Sequence, residues 1–169
     1  MKSVALVGAE STGKTELSEA LAKKLNGRWV PEFAREYLNE LGRPYQKNDL
    51  VEIARGQLEQ QKKALHSSEE LVVFDTDLLV LKVWSEFKYG HVDAFILDAW
   101  ESQRADFYIL PFYDVPYEED PLRENPNERP ALFSIYQNEL TKAGLDYLIV
   151  RGSREERLSQ ACAALNKKG

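Results

Sequence analysis

Gly8-Ala9-Glu10-Ser11-Thr12-Gly13-Lys14-Thr15 is the stretch of this sequence that decides the fold. It fits the pattern G-x-x-x-x-G-K-[ST], the phosphate-binding P-loop. The apolar run at residues 3–7 predicts a short buried strand before it, and Leu17, Leu21 and Leu25 predict one apolar helix face after it. Strand, glycine-rich loop and helix form the context in which this pattern binds phosphate, so the chain is predicted to open with that unit.

The residue types of the loop each have a chemical reason. Glycines at 8 and 13 let the backbone curl until successive N–H groups face one concavity, and the helix N-terminus adds partial positive charge there. Lys14 is expected to reach the β- and γ-phosphates and act in catalysis, while the Thr15 hydroxyl is expected to ligate Mg²⁺. The predicted ATP contacts are Gly8, Ala9, Glu10, Ser11, Thr12, Gly13, Lys14, Thr15, Arg129 and Arg157.

Length and composition predict a single domain over residues 1–169 with a full core. The net charge of −6 argues against a nucleic-acid partner. The first apolar run is too short for a signal peptide and ends at Glu10, and no run approaches transmembrane length, so no membrane association is expected. Cys162 is the only cysteine, which agrees with a cytoplasmic location, whereas the oligomeric state stays open.

Short apolar strands alternate with helical patterns along the chain. We predict strands at 3–7, 28–30, 71–74, 107–110 and 147–150, and helices at 34–41, 48–66, 78–87 and 91–103, with a last helix after residue 153. Two pairs of residues have the spacing of a helix capping box: Asp49 with Glu52, and Ser153 with Glu156. The pattern predicts an α/β fold, a three-layer P-loop NTPase with a doubly wound, five-stranded parallel sheet.

Ligands of such sheets bind at the carboxyl ends of the strands, so the acids found there carry information. Asp75 follows four apolar residues, the Walker B arrangement, and is expected to hold Mg²⁺ or to accept a proton. Asp77 would point the same way as Asp75 if the chain stayed extended, and could then contact a substrate hydroxyl. The alternative is that Asp77 caps the helix that follows.

The substrate site is predicted around the end of the second strand. Glu32 and Arg35 are expected to turn toward a substrate, together with Asp77, and Tyr37 or Trp84 would supply an aromatic wall. A flat aromatic wall suits a nucleobase or a pyridinium ring, and a cation adds about 0.5–2 kcal/mol. The alternative for both aromatic residues is ordinary core packing.

Residues 112–130 interrupt the alternation of strands and helices. Five prolines lie in this segment or directly before it, and so many prolines exclude a long helix or a central strand. They are Pro111, Pro116, Pro121, Pro126 and Pro130. Because the segment follows the fourth strand on the ligand side, we predict a mobile lid whose Arg123 and Arg129 close on phosphates. The alternative is a solvated connecting loop.

Four stretches together resemble the kinase domain of NadR-type proteins. They are residues 8–15, Phe33-Ala34-Arg35-Glu36-Tyr37, Asp75-Thr76-Asp77 and Tyr117-Glu118-Glu119-Asp120-Pro121-Leu122-Arg123. The resemblance covers residues 2 to about 157 and implies an ATP-dependent, Mg²⁺-using kinase. It would phosphorylate the 5′-hydroxyl of nicotinamide riboside to give nicotinamide mononucleotide in NAD synthesis. The resemblance also makes Arg123 the lid arginine expected to act in catalysis.

The chain departs from this family at two lid positions and in extent. The family usually has Trp where this chain has Tyr117, and Gly where it has Pro121, which is expected to stiffen the lid. Longer relatives also carry a DNA-binding module and an adenylyltransferase domain. We expect neither here, because the P-loop strand begins at residue 3, and transcriptional regulation is not carried over.

Two other functions remain open from the sequence. One is phosphorylation of another nucleoside or metabolite, since the P-loop does not specify the acceptor. The other is an ATP-binding ATPase or adaptor without kinase activity, because a fold does not dictate a function. Whether Asp75 or Asp77 would act as the base is likewise left open.

Overall fold

The computed structural model describes residues 1–167, so the last two residues of the predicted domain lie outside the described range. Its centre is a sheet of five parallel strands in the order β2-β3-β1-β4-β5. The strands are β1 (Ser3–Leu6), β2 (Arg28–Val30), β3 (Val72–Asp75), β4 (Phe107–Pro111) and β5 (Tyr147–Val150). The first strand lies in the middle, and the chain winds outward from it in both directions. The predicted doubly wound, five-stranded parallel sheet is confirmed.

Helices connect the strands on both faces of the sheet. They are α1 (Lys14–Lys24), α2 (Phe33–Glu40), α3 (Lys47–Leu65), α4 (Leu78–Tyr89), α5 (Ala94–Ser102), α6 (Arg129–Lys142) and α7 (Arg154–Asn166). Within the described part of the chain, none of these helices combines the length and apolarity that crossing a membrane requires. Helix α6 is not among the elements that the sequence pattern predicts.

The core consists of two apolar layers, one on each face of the sheet. Along β1 the side chains alternate: Val4 and Leu6 pack toward α1 and α7, while Ala5 packs toward the layer that α3 to α6 supply. All three side chains are completely buried. Burial on both faces explains why the central strands read as continuous apolar runs.

The helix starts correct two of the sequence predictions. The predicted capping pair Asp49 with Glu52 is wrong, because α3 begins earlier: Gln46 is its N-cap and donates its backbone N–H to Asp49 Oδ2 at 2.6 Å. Helix α5 begins three residues later than predicted, where the Asp93 carboxylate caps it. The capping box of Ser153 and Glu156 at the start of α7 is confirmed.

The parallel sheet gathers the predicted strand-end residues along one edge. The P-loop follows β1, Glu32 follows β2, and Asp75 ends β3. Register places Leu6 of β1 opposite Asp75, so the P-loop begins beside that carboxylate. Residues 112–128, called the lid below, follow β4 at the same edge. The candidate site therefore lies where the topology of a doubly wound sheet predicts it.

Candidate functional site

The P-loop adopts the curled backbone that its glycines permit. Gly8 has φ +142° and Gly13, the N-cap of α1, has φ +79°. Ser11 also lies at positive φ, +53°, although it carries a side chain. The Thr12 hydroxyl donates to the Ala9 carbonyl at 2.9 Å and fastens the turn from inside. The loop thus surrounds a concavity at the positive end of α1.

The Lys14 ammonium group lies inside this concavity. It donates hydrogen bonds to the carbonyl oxygens of Gly8 at 3.0 Å and Ala9 at 2.7 Å. Burial lowers the pKa of Lys14, and the nearby carboxylates of Glu32 and Asp75 oppose part of that shift. A partly desolvated cation among backbone N–H groups provides strong attraction for phosphate oxygens.

The Asp75 carboxylate offers an oxygen that no protein group satisfies. Asp75 is 2% exposed, and its Oδ1 has no hydrogen-bond partner among the described residues. Burial raises its pKa, while the Thr15 hydroxyl and the Lys14 charge lower it. An unsatisfied carboxylate oxygen beside a hydroxyl is a donor set that fits Mg²⁺, which prefers oxygen ligands and takes the remainder from phosphates and water. No cluster of three or more His, Cys, Asp or Glu side chains able to hold a metal occurs within residues 1–167.

Glu32 brings a second carboxylate to the same concavity. It is the N-cap residue of α2 and lines the cavity with Lys14. Burial raises the pKa of Glu32, and the Lys14 charge opposes part of the rise. The next residue fixes its position, because the Phe33 backbone N–H donates to Gln57 Oε1 on α3 at 2.9 Å. A carboxylate with a raised pKa near phosphate-binding groups is suited to accept a proton from a hydroxyl.

Asp77 does not join this group. The chain leaves the extended conformation at Thr76, whose φ is +71°, so Asp75 and Asp77 do not point to the same side. Asp77 is 1% exposed; its carboxylate accepts from the Leu79 backbone N–H at 2.9 Å and from the Tyr108 hydroxyl at 2.8 Å. The structure places Asp77 as the cap of α4, which is the alternative that the sequence left open.

Tyr37 also lies outside the cavity lining. Its hydroxyl donates to Asp49 Oδ1 at 2.8 Å, which ties α2 to α3. Trp84, the other predicted wall residue, does line the cavity, and so does Arg35. Of the five residues predicted to contact substrate, the structure therefore brings Glu32, Arg35 and Trp84 together.

The cavity has a volume of about 480 Å³. One end is polar and consists of the P-loop with Glu32, Arg35 and Arg123. The other end is apolar, and its walls include Leu38, Val80, Val83, Trp84, Phe87 and Leu132. Apart from Trp84, no motif marked these apolar residues in the sequence. A phosphate-binding mouth thus continues into an apolar chamber.

The lid lies over the P-loop and contacts it directly. The Glu118 backbone N–H donates to the Ser11 hydroxyl at 2.8 Å. Arg123 lines the cavity, with its Nη1 at 2.5 Å from the Glu118 carbonyl and 3.4 Å from Ser11 Oγ. Arg129 is the first residue of α6 and donates to the Ser11 carbonyl at 3.2 Å. Two of the predicted phosphate-facing arginines thus contact the loop itself.

Arg157 reaches the P-loop from behind, outside the cavity lining. It is 3% exposed and donates to the carbonyl oxygens of Thr12 at 2.6 Å, Phe112 at 2.9 Å and Gly152 at 2.9 Å. It also forms an ion pair with Asp114. The structure thus gives Arg157 a place under the loop, where its donors are occupied by protein oxygens.

Comparison with known proteins places the chain among P-loop domains. The family model described as AAA domain matches residues 3–157. No curated protein matches the sequence significantly.

Solved structures share the fold. NadR in complex with NR superposes with a TM-score of 0.83 at 21% identity, and NadR in complex with NAD and AMP-PNP with 0.80 at 22%. Both matches cover 98% of this chain and 49% of NadR, so this chain spans about half the length of NadR. Thymidylate kinase from Ehrlichia chaffeensis superposes with 0.74 at 12% identity, covering 98% of each chain. Deoxyadenosine kinase from M. mycoides superposes with 0.69 at 16%, covering 98% of this chain and 99% of that one. The predicted NadR-type P-loop fold is confirmed.

Proposed function

This chain is a member of the AAA domain family, and from that premise we propose that it is an ATP-dependent kinase of a nucleoside-like acceptor. One observation carries the proposal. The P-loop with Lys14 and Glu32 lines the polar mouth of a cavity whose other end is apolar and lies under the lid, and the Asp75 carboxylate lies close to Lys14. A cavity of about 480 Å³ falls in the range of small-molecule sites, and its lining combines the P-loop with apolar side chains.

The residues supply the parts that phosphoryl transfer needs, namely positioning and charge neutralisation. The loop N–H groups and Lys14 would hold the β- and γ-phosphates of ATP. Thr15 and Asp75 would hold Mg²⁺, which when bound neutralises charge on the phosphates. Arg123 faces the same place from the lid and would stabilise charge on the transferring group.

A proton must leave the acceptor hydroxyl during transfer, and the carboxylates of Glu32 and Asp75, both near Lys14, are the candidates to receive it. Glu32 lines the cavity on the acceptor side and has a raised pKa. Asp75 lies beside Thr15, where it is better placed for Mg²⁺. Glu32 is therefore the acceptor-side base in this proposal, and Asp77, held by Leu79 and Tyr108, takes no part.

Nicotinamide riboside is the acceptor we propose, with nicotinamide mononucleotide as the product in NAD synthesis. The structure of NadR with NR shares this fold, and the cavity lining holds carboxylates that would attract a cationic ring, while Lys14 and Arg123 would face the phosphates of ATP. Glu10 and Glu32 line the cavity, whereas the opposing Arg35 is paired with Asp120 of the lid at 3.0 Å. Trp84 offers a ring face in the apolar chamber, where a pyridinium gains about 0.5–2 kcal/mol.

A neutral nucleoside is the alternative acceptor. The observation in its favour is the shared fold of thymidylate kinase and deoxyadenosine kinase, over nearly their whole length. An ATPase or adaptor without an acceptor is the other alternative.

The test is ATP turnover with a panel of nucleosides: nicotinamide riboside, its neutral reduced form, adenosine, uridine and thymidine, with products identified by mass. We expect the cation to exceed the neutral compounds in kcat/KM by about ten- to hundredfold. One or two partly buried charge contacts would account for this, since about 1.4 kcal/mol of transition-state stabilisation corresponds to a factor of ten in rate. Lys14→Ala serves as the inactive reference, and Lys23→Ala, exposed on the same helix, as its matched control.

Two other outcomes would favour the alternative functions. Equal or better turnover of a neutral nucleoside would overturn the choice of nicotinamide riboside and leave the kinase in place. ADP release that no acceptor stimulates would overturn the kinase and favour the ATPase.

A further inference from the structure

Glu124 of the lid is held from two sides. Its backbone N–H donates to Glu10 Oε2 of the P-loop at 3.0 Å, and the next N–H, of Asn125, donates to the same oxygen at 3.1 Å. Its side chain contacts the segment before α3 and the end of α4. There its carboxylate accepts from the Tyr45 hydroxyl at 2.5 Å and from Lys88 Nζ at 2.9 Å.

Tyr45 is the junction of this contact. Its hydroxyl donates to Glu124 and accepts from Lys88 Nζ at 2.5 Å and from Trp84 Nε1 at 2.9 Å, so its capacity for hydrogen bonds is filled. Burial raises the pKa of Tyr45 to about 12, so the hydroxyl keeps its proton and remains a donor at neutral pH. The Tyr45 ring also packs edge-on against Trp84, with centroids 5.0 Å apart. Tyr45, Lys88 and Glu124 form what we call the lid clamp.

The clamp acts on the residue that precedes it. Arg123 is bonded covalently to Glu124 and closes a turn in which its backbone N–H donates to the Asp120 carbonyl at 2.9 Å. The turn has Asp at its first position and Pro121 at its second, both favourable there, so this segment moves as a stiff unit. Fixing Glu124 therefore also fixes where the Arg123 guanidinium reaches. Its charge is close enough to Lys14 to lower the pKa of that lysine.

We propose that Glu124, held by Tyr45 and Lys88, is a positioning residue that places Arg123 over the P-loop. The lid clamp joins the lid to α4 and to the segment before α3. The effect on turnover rests on the kinase function proposed above, whereas the effect on the lid does not.

The kinetic test uses Glu124→Gln, which keeps the shape of the side chain and removes its charge. We expect kcat to fall about three- to tenfold, since Lys88 and Glu124 are 34% and 40% exposed and such pairs are weakened by solvent. The KM for ATP should change less than about twofold. Glu119→Gln is the matched control, because this neighbouring acid is exposed and its side chain forms no hydrogen bond or ion pair within residues 1–167. It should leave kcat and the KM for ATP unchanged.

Two further variants separate positioning from general damage. In an Arg123→Ala background, Glu124→Gln should cause no additional loss of kcat, because the residue it places is gone. The reversed pair, Lys88→Glu with Glu124→Lys, should recover most of the kcat that either single change loses. Equal losses with and without Arg123, or no recovery in the reversed pair, would overturn the proposal.

Hydrogen exchange tests the clamp without turnover. Peptides that cover residues 117–125 should exchange severalfold faster in Glu124→Gln and Tyr45→Phe than in the unaltered protein or Glu119→Gln. Unchanged exchange in both clamp variants would overturn the clamp even if the protein is a kinase. Faster exchange in a protein that phosphorylates no acceptor would support the clamp and overturn the proposed function instead.

Discussion

The Arg157 guanidinium on α7 donates a 2.6 Å hydrogen bond to the Thr12 carbonyl of the P-loop. The two residues are 145 positions apart in the chain. The same guanidinium bonds the Phe112 carbonyl and pairs with Asp114, at the start of the lid. One buried side chain therefore fixes the loop that would bind phosphate and the segment from which the lid departs.

Replacing Arg157 should thus damage stability and nucleotide binding together. We expect Arg157→Met to lower the free energy of unfolding by about 2–4 kcal/mol, because three carbonyl oxygens lose the Arg157 donor and Asp114 loses its ion pair. ATP affinity should fall about tenfold as the P-loop loosens. Urea unfolding and ATP titration measure the two effects.

The matched control is Arg154→Gln on the first turn of the same helix. Arg154 pairs with Glu16 at the surface, where their side chains are 56% and 64% exposed, so its loss should change stability by less than about 0.5 kcal/mol. If the two variants were equally stable, Arg157 would not hold the loop.

The roles of the Glu32 and Asp75 carboxylates should be separable by the dependence of turnover on Mg²⁺. We expect Asp75→Asn to raise the Mg²⁺ concentration needed for half-maximal turnover and to lower kcat far more than it weakens ATP binding. Glu32→Gln should lower kcat by about 10²–10⁴-fold with little change in Mg²⁺ dependence, because it removes only the proton acceptor.

The measurement is initial rate against Mg²⁺ concentration at saturating acceptor. Asp77→Asn should retain near-normal kcat and is the control, since Asp77 lies outside the cavity. A loss in Asp77→Asn as large as in Glu32→Gln, with the fold intact, would show that the base has been misassigned.

Asp77 should instead affect stability through pH. Burial raises its pKa from 3.8 to about 6, so between these values the folded state binds more protons than the unfolded state. The free energy of unfolding should therefore decrease as pH rises through that window, by up to about 3 kcal/mol. Urea unfolding at pH 4, 5, 6 and 7 measures it, and Asp77→Asn should reduce this slope, leaving the part that Glu32 and Asp75 contribute because burial raises their pKa values as well.

Tyr108→Phe is a matched test in the opposite direction. The Tyr108 hydroxyl donates to the Asp77 carboxylate and lowers its pKa, so its removal should extend the decrease to higher pH and enlarge its total. Asp49 does not contribute to this slope. Its pKa is lowered, chiefly by the hydrogen bond from Arg43, so its contribution to the free energy of unfolding is lost only as pH falls below the ordinary carboxyl pKa of 3.8. A slope that Asp77→Asn leaves unchanged would assign the effect to another group.

The sequence predicts those parts of the site that local patterns determine. The P-loop, and the positions of Glu32 and Asp75 at strand ends, follow from motif and topology. The direction of Asp77 does not, because it depends on a positive φ at Thr76, a β-branched residue that avoids this region unless its surroundings impose it.

Helix α6 and the lid clamp were missed for different reasons. The start of α6 carries a signal, a proline at N1/N2, but the prolines before it favoured a continuous loop. Tyr45 and Lys88 lie 79 and 36 positions from Glu124. No local pattern can report a contact over such separations, so only the fold brings the clamp together.

Gly56 gives a final prediction, because a helix interior normally disfavours glycine. A Cβ at Gly56 in α3 would lie 2.1 Å from Cε1 of the Phe33 ring. Because Phe33 follows Glu32, the contact of its ring with α3 also positions the segment after β2. Gly56→Ala should gain about 1 kcal/mol of helix propensity and lose more through the displaced ring, with a net destabilisation of about 1–3 kcal/mol. The displacement should also move Glu32, which would lower kcat/KM for the acceptor about tenfold while the KM for ATP changes little.

Glu59→Ala, exposed on the same helix, is the control and should show neither effect. Thermal unfolding and acceptor kinetics measure both, and a Gly56→Ala protein of higher stability with unchanged acceptor kinetics would show that Phe33 can repack without moving Glu32.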